Sequence, residues 1–278
     1  MKKYIFVLLI ILGSVFIVGC NNGTKETLEK LNSQQSVYGM SAVVGVEESV
    51  NSLSIVTNAL NQEEDLIDIK ENTDLDLLMG LMNEDLFSTK EEVSNNEEYE
   101  KLLIIEFNKK TYNFYYNETL VDYEEDDDEI EEEYKIEGII IFDEEELKVI
   151  GTKEIETEND ENEFELEMKV YKDQNNYTLI SYETEEESDE YEKEYNVKTY
   201  FDGRKVNEFK FEFEIENNEL ELEVEVYAVN NNIKLEIKGY NNSEAKVKYE
   251  IIEQNNKRQG TFTVKVEVNG NNVVYSYK

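Results

Sequence analysis

Carboxylates are the reactive groups this chain holds in quantity. From Glu118 to Glu133 eleven acidic residues occur without a basic one, and Asp126, Asp127 and Asp128 stand together at the centre of that run. Oxygen ligands packed so densely can gather Ca²⁺ or Mg²⁺. The run lacks the glycine and the alternating spacing of an EF-hand loop, so the binding expected of it is weak and unselective. The plainer expectation is a solvated hairpin loop, and residues 183–194 repeat it in milder form. Catalysis has less to work with. There is no His to act as an imidazole base, the sole cysteine is Cys20, and no glycine-rich loop follows a strand to hold phosphate. Paired carboxylates suit glycoside hydrolysis, but among 66 acidic residues such pairs arise by chance. The expectation is a protein that is not an enzyme and carries no cofactor.

Cys20 has a different chemistry, set by what precedes it. Met1-Lys2-Lys3 is a short basic start, residues 4–18 are almost wholly apolar, and Gly19 supplies the small residue of a processing site. The apolar run is shorter than the roughly 20 residues of a spanning helix, and Asn21-Asn22-Gly23-Thr24 breaks it. Ile17-Val18-Gly19-Cys20 resembles the lipobox of bacterial lipoproteins, in which an aliphatic residue, a small or β-branched one and Gly or Ala precede the cysteine. The resemblance implies a diacylglyceryl group on the Cys20 thiol and cleavage after Gly19, and leaves acylation of the new amino group open. Each buried CH₂ contributes about 0.8 kcal/mol, so two or three chains make a stable attachment. The expected location is the cell membrane, lipid-anchored, on the extracytoplasmic side. The resemblance spans only the leader and its cysteine.

Charge narrows the partners. The formal net charge is −39, and processing would make it more negative still by removing Lys2 and Lys3. Such a surface repels nucleic acid and anionic lipid headgroups. The expected partners are the membrane, through the lipid on Cys20, and a protein or an apolar ligand, with divalent cations bound weakly. A lone cysteine excludes an internal disulfide, so stability has to come from burial.

The elements that must position these groups follow from periodicity. Residues 20–37 are polar and read as a flexible tether. Residues 38–97 read as helical, with apolar stripes over 38–60, 62–70 and 73–87. From residue 98 to 278 the period is two, as in Phe209, Phe211 and Phe213 alternating with Lys210, Glu212 and Glu214. The breaks, among them Asp202-Gly203 and Asn217-Asn218, leave no room for crossover helices, so consecutive strands must be antiparallel neighbours. The expected fold class is mainly β, α+β in detail. It is a large antiparallel meander of about a dozen strands, a strongly curved sheet or open barrel with N-terminal helices packed on its apolar face. Three functions fit: a lipid-anchored protein with a binding or structural role at the cell surface, a carrier of an apolar ligand or lipid between sheet and helices, or a low-affinity divalent-cation module.

Overall fold

A computed structural model of the chain describes residues 33–51, 77, 86–125, 129–158, 161–187, 190–216, 219–228, 231–238, 244–253, 256–269 and 272–277. Ser33 opens the first element. Its Oγ accepts the Ser36 amide at 3.2 Å and its carbonyl accepts the Val37 amide at 3.0 Å, as a capping serine does. Helix α1 then runs Gln34–Asn51. It has no charged residue before Glu47, and residues 36–46 are buried without a break. A helix apolar on every side is stable only when enclosed. It begins inside the stretch read as tether, because the cap and not the apolar stripe sets its start. The helical candidate over 62–70 lies outside the described residues.

The strands are β1 (Phe87–Val93), β2 (Lys101–Phe107), β3 (Lys110–Glu125), β4 (Glu129–Phe142), β5 (Glu145–Glu158), β6 (Glu161–Tyr171) and β7 (Tyr177–Glu187). They continue as β8 (Glu190–Phe201), β9 (Arg204–Glu216), β10 (Glu219–Ala228), β11 (Asn231–Lys238), β12 (Glu244–Glu253), β13 (Asn256–Asn269) and β14 (Asn272–Tyr277). All fourteen form one sheet in chain order, antiparallel throughout, and β1 and β14 remain its edges, so the meander does not close. Two-residue turns join β2 to β3, β4 to β5 and β8 to β9. Each holds both its residues at positive φ: Asn108 and Lys109, Asp143 and Glu144, Asp202 and Gly203. That is the turn whose twist matches paired strands.

Two expectations need correction. The helical candidate over 73–87 ends on Phe87 and the helical segment 38–97 takes in residues 88–93, yet Phe87–Val93 form β1, paired along its whole length with β2. Phe-Ser-Thr-Lys-Glu-Glu-Val has no clean alternation, and the exposed edge of β2 decides its conformation. The described residues of the acid run from Glu118 to Glu133 are strand, not loop. Glu118 to Glu125 belong to β3 and Glu129 to Glu133 to β4, paired across a register shift beside Val121.

One face of the sheet is the core. Tyr112, Phe114 and Tyr116 of β3, Val149 of β5, Met168 of β6, Val197 of β8 and Val247 of β12 are all buried on it. α1 lies against β1 to β4, β6 and β7, and its Glu48 reaches Thr199 of β8. Strands spaced about 4.8 Å apart put β1 roughly 30 Å from β7 in a flat sheet, while a helix is about 10 Å wide. The sheet must curl around α1. Gly39 and Gly45 permit the approach: a Cβ on Gly45 would stand 2.9 Å from Val170 Cβ and 3.3 Å from Ile180 Cδ1. Among the described residues, no helix is long and apolar enough to cross a membrane.

Opposite effects are expected from two substitutions, both read by urea unfolding. Gly45→Val forces α1 off β6 and lowers stability by about 2 kcal/mol. Glu144→Gly relieves a non-glycine residue at φ 68° and raises stability by about 1 kcal/mol.

Candidate functional site

Alternation in the strands that cover α1 puts three charged residues on the inward face. Lys101 is in phase with Leu103 and Ile105, Glu118 with Phe114 and Tyr116, and Lys153 with Leu147 and Val149. They meet beside the first turns of α1. Glu118 Oε1 accepts hydrogen bonds from Gln34 Nε2 at 2.9 Å, Tyr38 Oη at 2.5 Å and Lys153 Nζ at 3.0 Å, while Oε2 accepts from Lys101. The Glu118 side chain is 8% exposed and that of Lys153 5%. Lys153 Nζ also stands 3.8 Å from the centroid of the Tyr134 ring, which adds a cation–π contact. Next to this cluster Tyr116 donates to Glu91 Oε2 at 2.7 Å.

Burial alone would raise the Glu118 carboxyl, but the bonds from Lys101, Tyr38 and Lys153, with the Lys153 charge, outweigh it and hold the group below its ordinary value of 4.5. Tyr38 is pushed up, by burial first and then by the Glu118 charge. Both oxygens of the carboxylate are engaged, so the cluster is built to hold α1 and not to react. At the far end of α1, Glu47 accepts from Lys110 Nζ at 3.2 Å and from Tyr112, and Ser49 and Thr178 hydroxyls pair at 3.1 Å.

The outward face carries a different arrangement. Asp122, Glu133, Glu154, Glu165, Glu183, Glu194, Glu212, Glu223 and Glu236 are directly opposed from strand to strand, β3 through β11, and the row ends on Lys248 of β12. A second row at Glu131, Glu156 and Glu163 continues in register through Glu185, Glu192, Glu214 and Glu221. Rungs repeat at the strand spacing, about 4.8 Å. Like charges directly opposed destabilise a sheet. From β8 on, lysines answer this: from adjacent rows Lys210 lies 2.7 Å from Glu194 and 3.9 Å from Glu212 and Lys234 reaches Glu223, and at the end of the row Lys248 lies 2.7 Å from Glu236.

Between β4 and β8 the carboxylates crowd one another. Glu163, Glu165 and Glu183 hold oxygens within 4.8 Å of each other. Glu165 and Glu183 line a groove of about 390 Å³ with Glu133, Glu154, Glu194 and Asn196. Desolvation first, and neighbouring carboxylates next, push Glu131, Glu156 and Glu165 above their ordinary value.

Ile17, Val18, Gly19 and Cys20 lie outside the described residues, as do Asp126, Asp127 and Asp128. The sequence reading passed over Lys101 and Lys153 and took Glu118 as solvated, although all three keep the inward phase of buried neighbours. Of the tyrosines, Tyr112, Tyr116, Tyr182, Tyr195 and Tyr249 are core. Tyr171, Tyr177 and Tyr200 share an outward row, with ring centroids 5.5 and 4.6 Å apart, so they pack on each other.

Replacing Glu118 by Gln strands Lys153 in the core and should cost about 3–5 kcal/mol, measured by urea unfolding near neutral pH. Because its folded value is depressed, Glu118 stabilises the fold fully above its unfolded value. That contribution is lost as pH falls below 4.5 through the folded value. In Glu118→Gln this acid-side slope should be absent.

The chain matches no protein-family model, and comparison with curated proteins and with solved structures found no similar one. The candidate site therefore rests on this chain's own geometry.

Proposed function

We propose that this chain is a lipid-anchored extracytoplasmic protein, held at the cell membrane by acylated Cys20, that presents its sheet as a binding or structural surface and performs no catalysis. The observation that carries this reading is Ile17-Val18-Gly19-Cys20 at the end of an apolar run behind a basic start. Support comes also from the body that follows. Twelve residues separate Cys20 from Ser33, a contour of at most about 45 Å, so a body attached this way stays close to the bilayer. Its outward carboxylates repel anionic headgroups and keep that face turned to solvent.

Expression in a bacterium fed a radiolabelled fatty acid tests the anchor. The wild-type chain should carry label and partition with detergent, whereas Cys20→Ser should do neither and accumulate with its leader intact. Soluble, unlabelled wild-type protein would defeat the reading.

A second reading, a low-affinity divalent-cation module, is favoured by the opposed carboxylates at Glu163, Glu165 and Glu183. The groove that holds Glu165 and Glu183 is lined mostly by carboxylates and other polar side chains, which favours a cation over an apolar ligand there. NaCl should raise the melting temperature by screening exposed carboxylates, over a Debye length of about 8 Å at physiological strength. Ca²⁺ at about millimolar concentration should raise it beyond an NaCl control of equal ionic strength. The excess should vanish in a Glu163→Gln, Glu165→Gln, Glu183→Gln triple variant. Equal shifts in the two salts would leave only screening.

A further inference from the structure

We propose that the N-terminal half of α1 is an acid-released strap: protonation of Glu118 frees it from the concave face while the sheet beneath stays folded. The argument starts from what surrounds that carboxylate. Gln34 and Tyr38 face it from α1, Lys101 from β2 and Lys153 from β5. Tyr134 of β4 lies under Lys153, and Tyr116 of its own strand is turned to Glu91 of β1. Glu118 is the one carboxylate bonded to both ammonium groups. Once protonated, it leaves two like charges with no anion between them: Lys101, which is part-exposed, and Lys153, which is almost fully enclosed. A buried charge stripped of its partner must find water or destabilise the fold. The cover nearest that charge on the helix side is the first two turns of α1, whose Tyr38 and Gln34 bonds weaken at the same moment because their acceptor has lost its charge. Water reaches Lys153 when those turns lift.

The far half of α1 has other fastenings. Glu48 accepts from Thr199 at 2.8 Å, Glu47 from Lys110 and Tyr112, and the Ser49–Thr178 hydroxyl pair does not titrate at all. That hydroxyl pair, with the close packing of Gly45 on Val170 and Ile180, keeps this end seated when the carboxylates of α1 take up protons. The sheet responds to acid with the opposite sign. Repulsion along the outward rows, present while the carboxylates are charged, disappears as they take up protons, and the raised groups Glu131, Glu156 and Glu165 do so at and above 4.5. Acidification thus relieves the crowding at those three glutamates while it removes the anion that fastens α1.

Hydrogen exchange of the full chain, read by mass spectrometry and corrected for intrinsic rates, tests this above and below the carboxylate range. Amides of residues 37–43 should exchange about a hundredfold faster in acid, while those of β6 to β8 keep their protection. A neutral cluster, made by Glu118→Gln with Lys101→Met and Lys153→Met, removes every charge from the cluster and should hold α1 equally well at both pH values. Loss of protection in α1 and sheet together, or no loss in either, overturns the proposal. So does acid release of α1 in the neutral-cluster variant, because the sensor would then lie elsewhere.

Discussion

A sheet with one apolar face has to cover it, and in this protein the cover is a helix with no polar side of its own over residues 36–46. The helix is not stable away from the sheet. The helix lacks the charged stripe that would let it rest on a flat surface, so the strands bend until β1 and β7 both touch it. Curvature is thus a result of the helix's composition as much as of strand twist. Close approach follows from glycine at the points of contact, and the long meander keeps curling past the helix without joining edge to edge.

Charge is handled in two ways on the two sides of the same strands. Inside, one carboxylate is matched against two ammonium groups, two further donors and a tyrosine ring, so that every partner is accounted for. Outside, carboxylates face carboxylates across nine strands, relieved by lysines only in the later ones. The inner cluster is conformationally specific and costly to disturb. The outer rows are individually weak, sensitive to salt, and tolerable because water and counter-ions reach them.

Period-two alternation and the turn residues made the meander legible from sequence, down to the pairing of strands such as β9 and β10 across Asn217-Asn218. The outward carboxylate rows were legible in principle too, since Glu-x-Glu alternation joined by tight turns leaves few registers open. Three things were not. The start of α1 depends on the Ser33 cap, which looks like any serine in a polar stretch. β1 has no pattern of its own and takes its form from β2. Glu118 was hidden by abundance: in a chain this acidic, one glutamate in phase with Phe114 and Tyr116 is noticed only when Lys101 and Lys153 are known to face it. Cys20 is the reverse case, a residue whose proposed acylation is read entirely from its local sequence.

Since Ser33 leads straight into α1 and α1 begins at the Glu118 end of the sheet, the helix stands in series between the leading residues and the strands. Tension applied ahead of Ser33 loads the first helical turn before any strand, and it peels α1 from one end without shearing the ladder of β-sheet hydrogen bonds. An 18-residue helix about 27 Å long can pay out to about 60 Å of extended chain. The protein therefore has a built-in extensible link that gives way first at one ion cluster and last at Glu47, Glu48 and Ser49, ahead of a sheet that feels little of the strain until the link has run out.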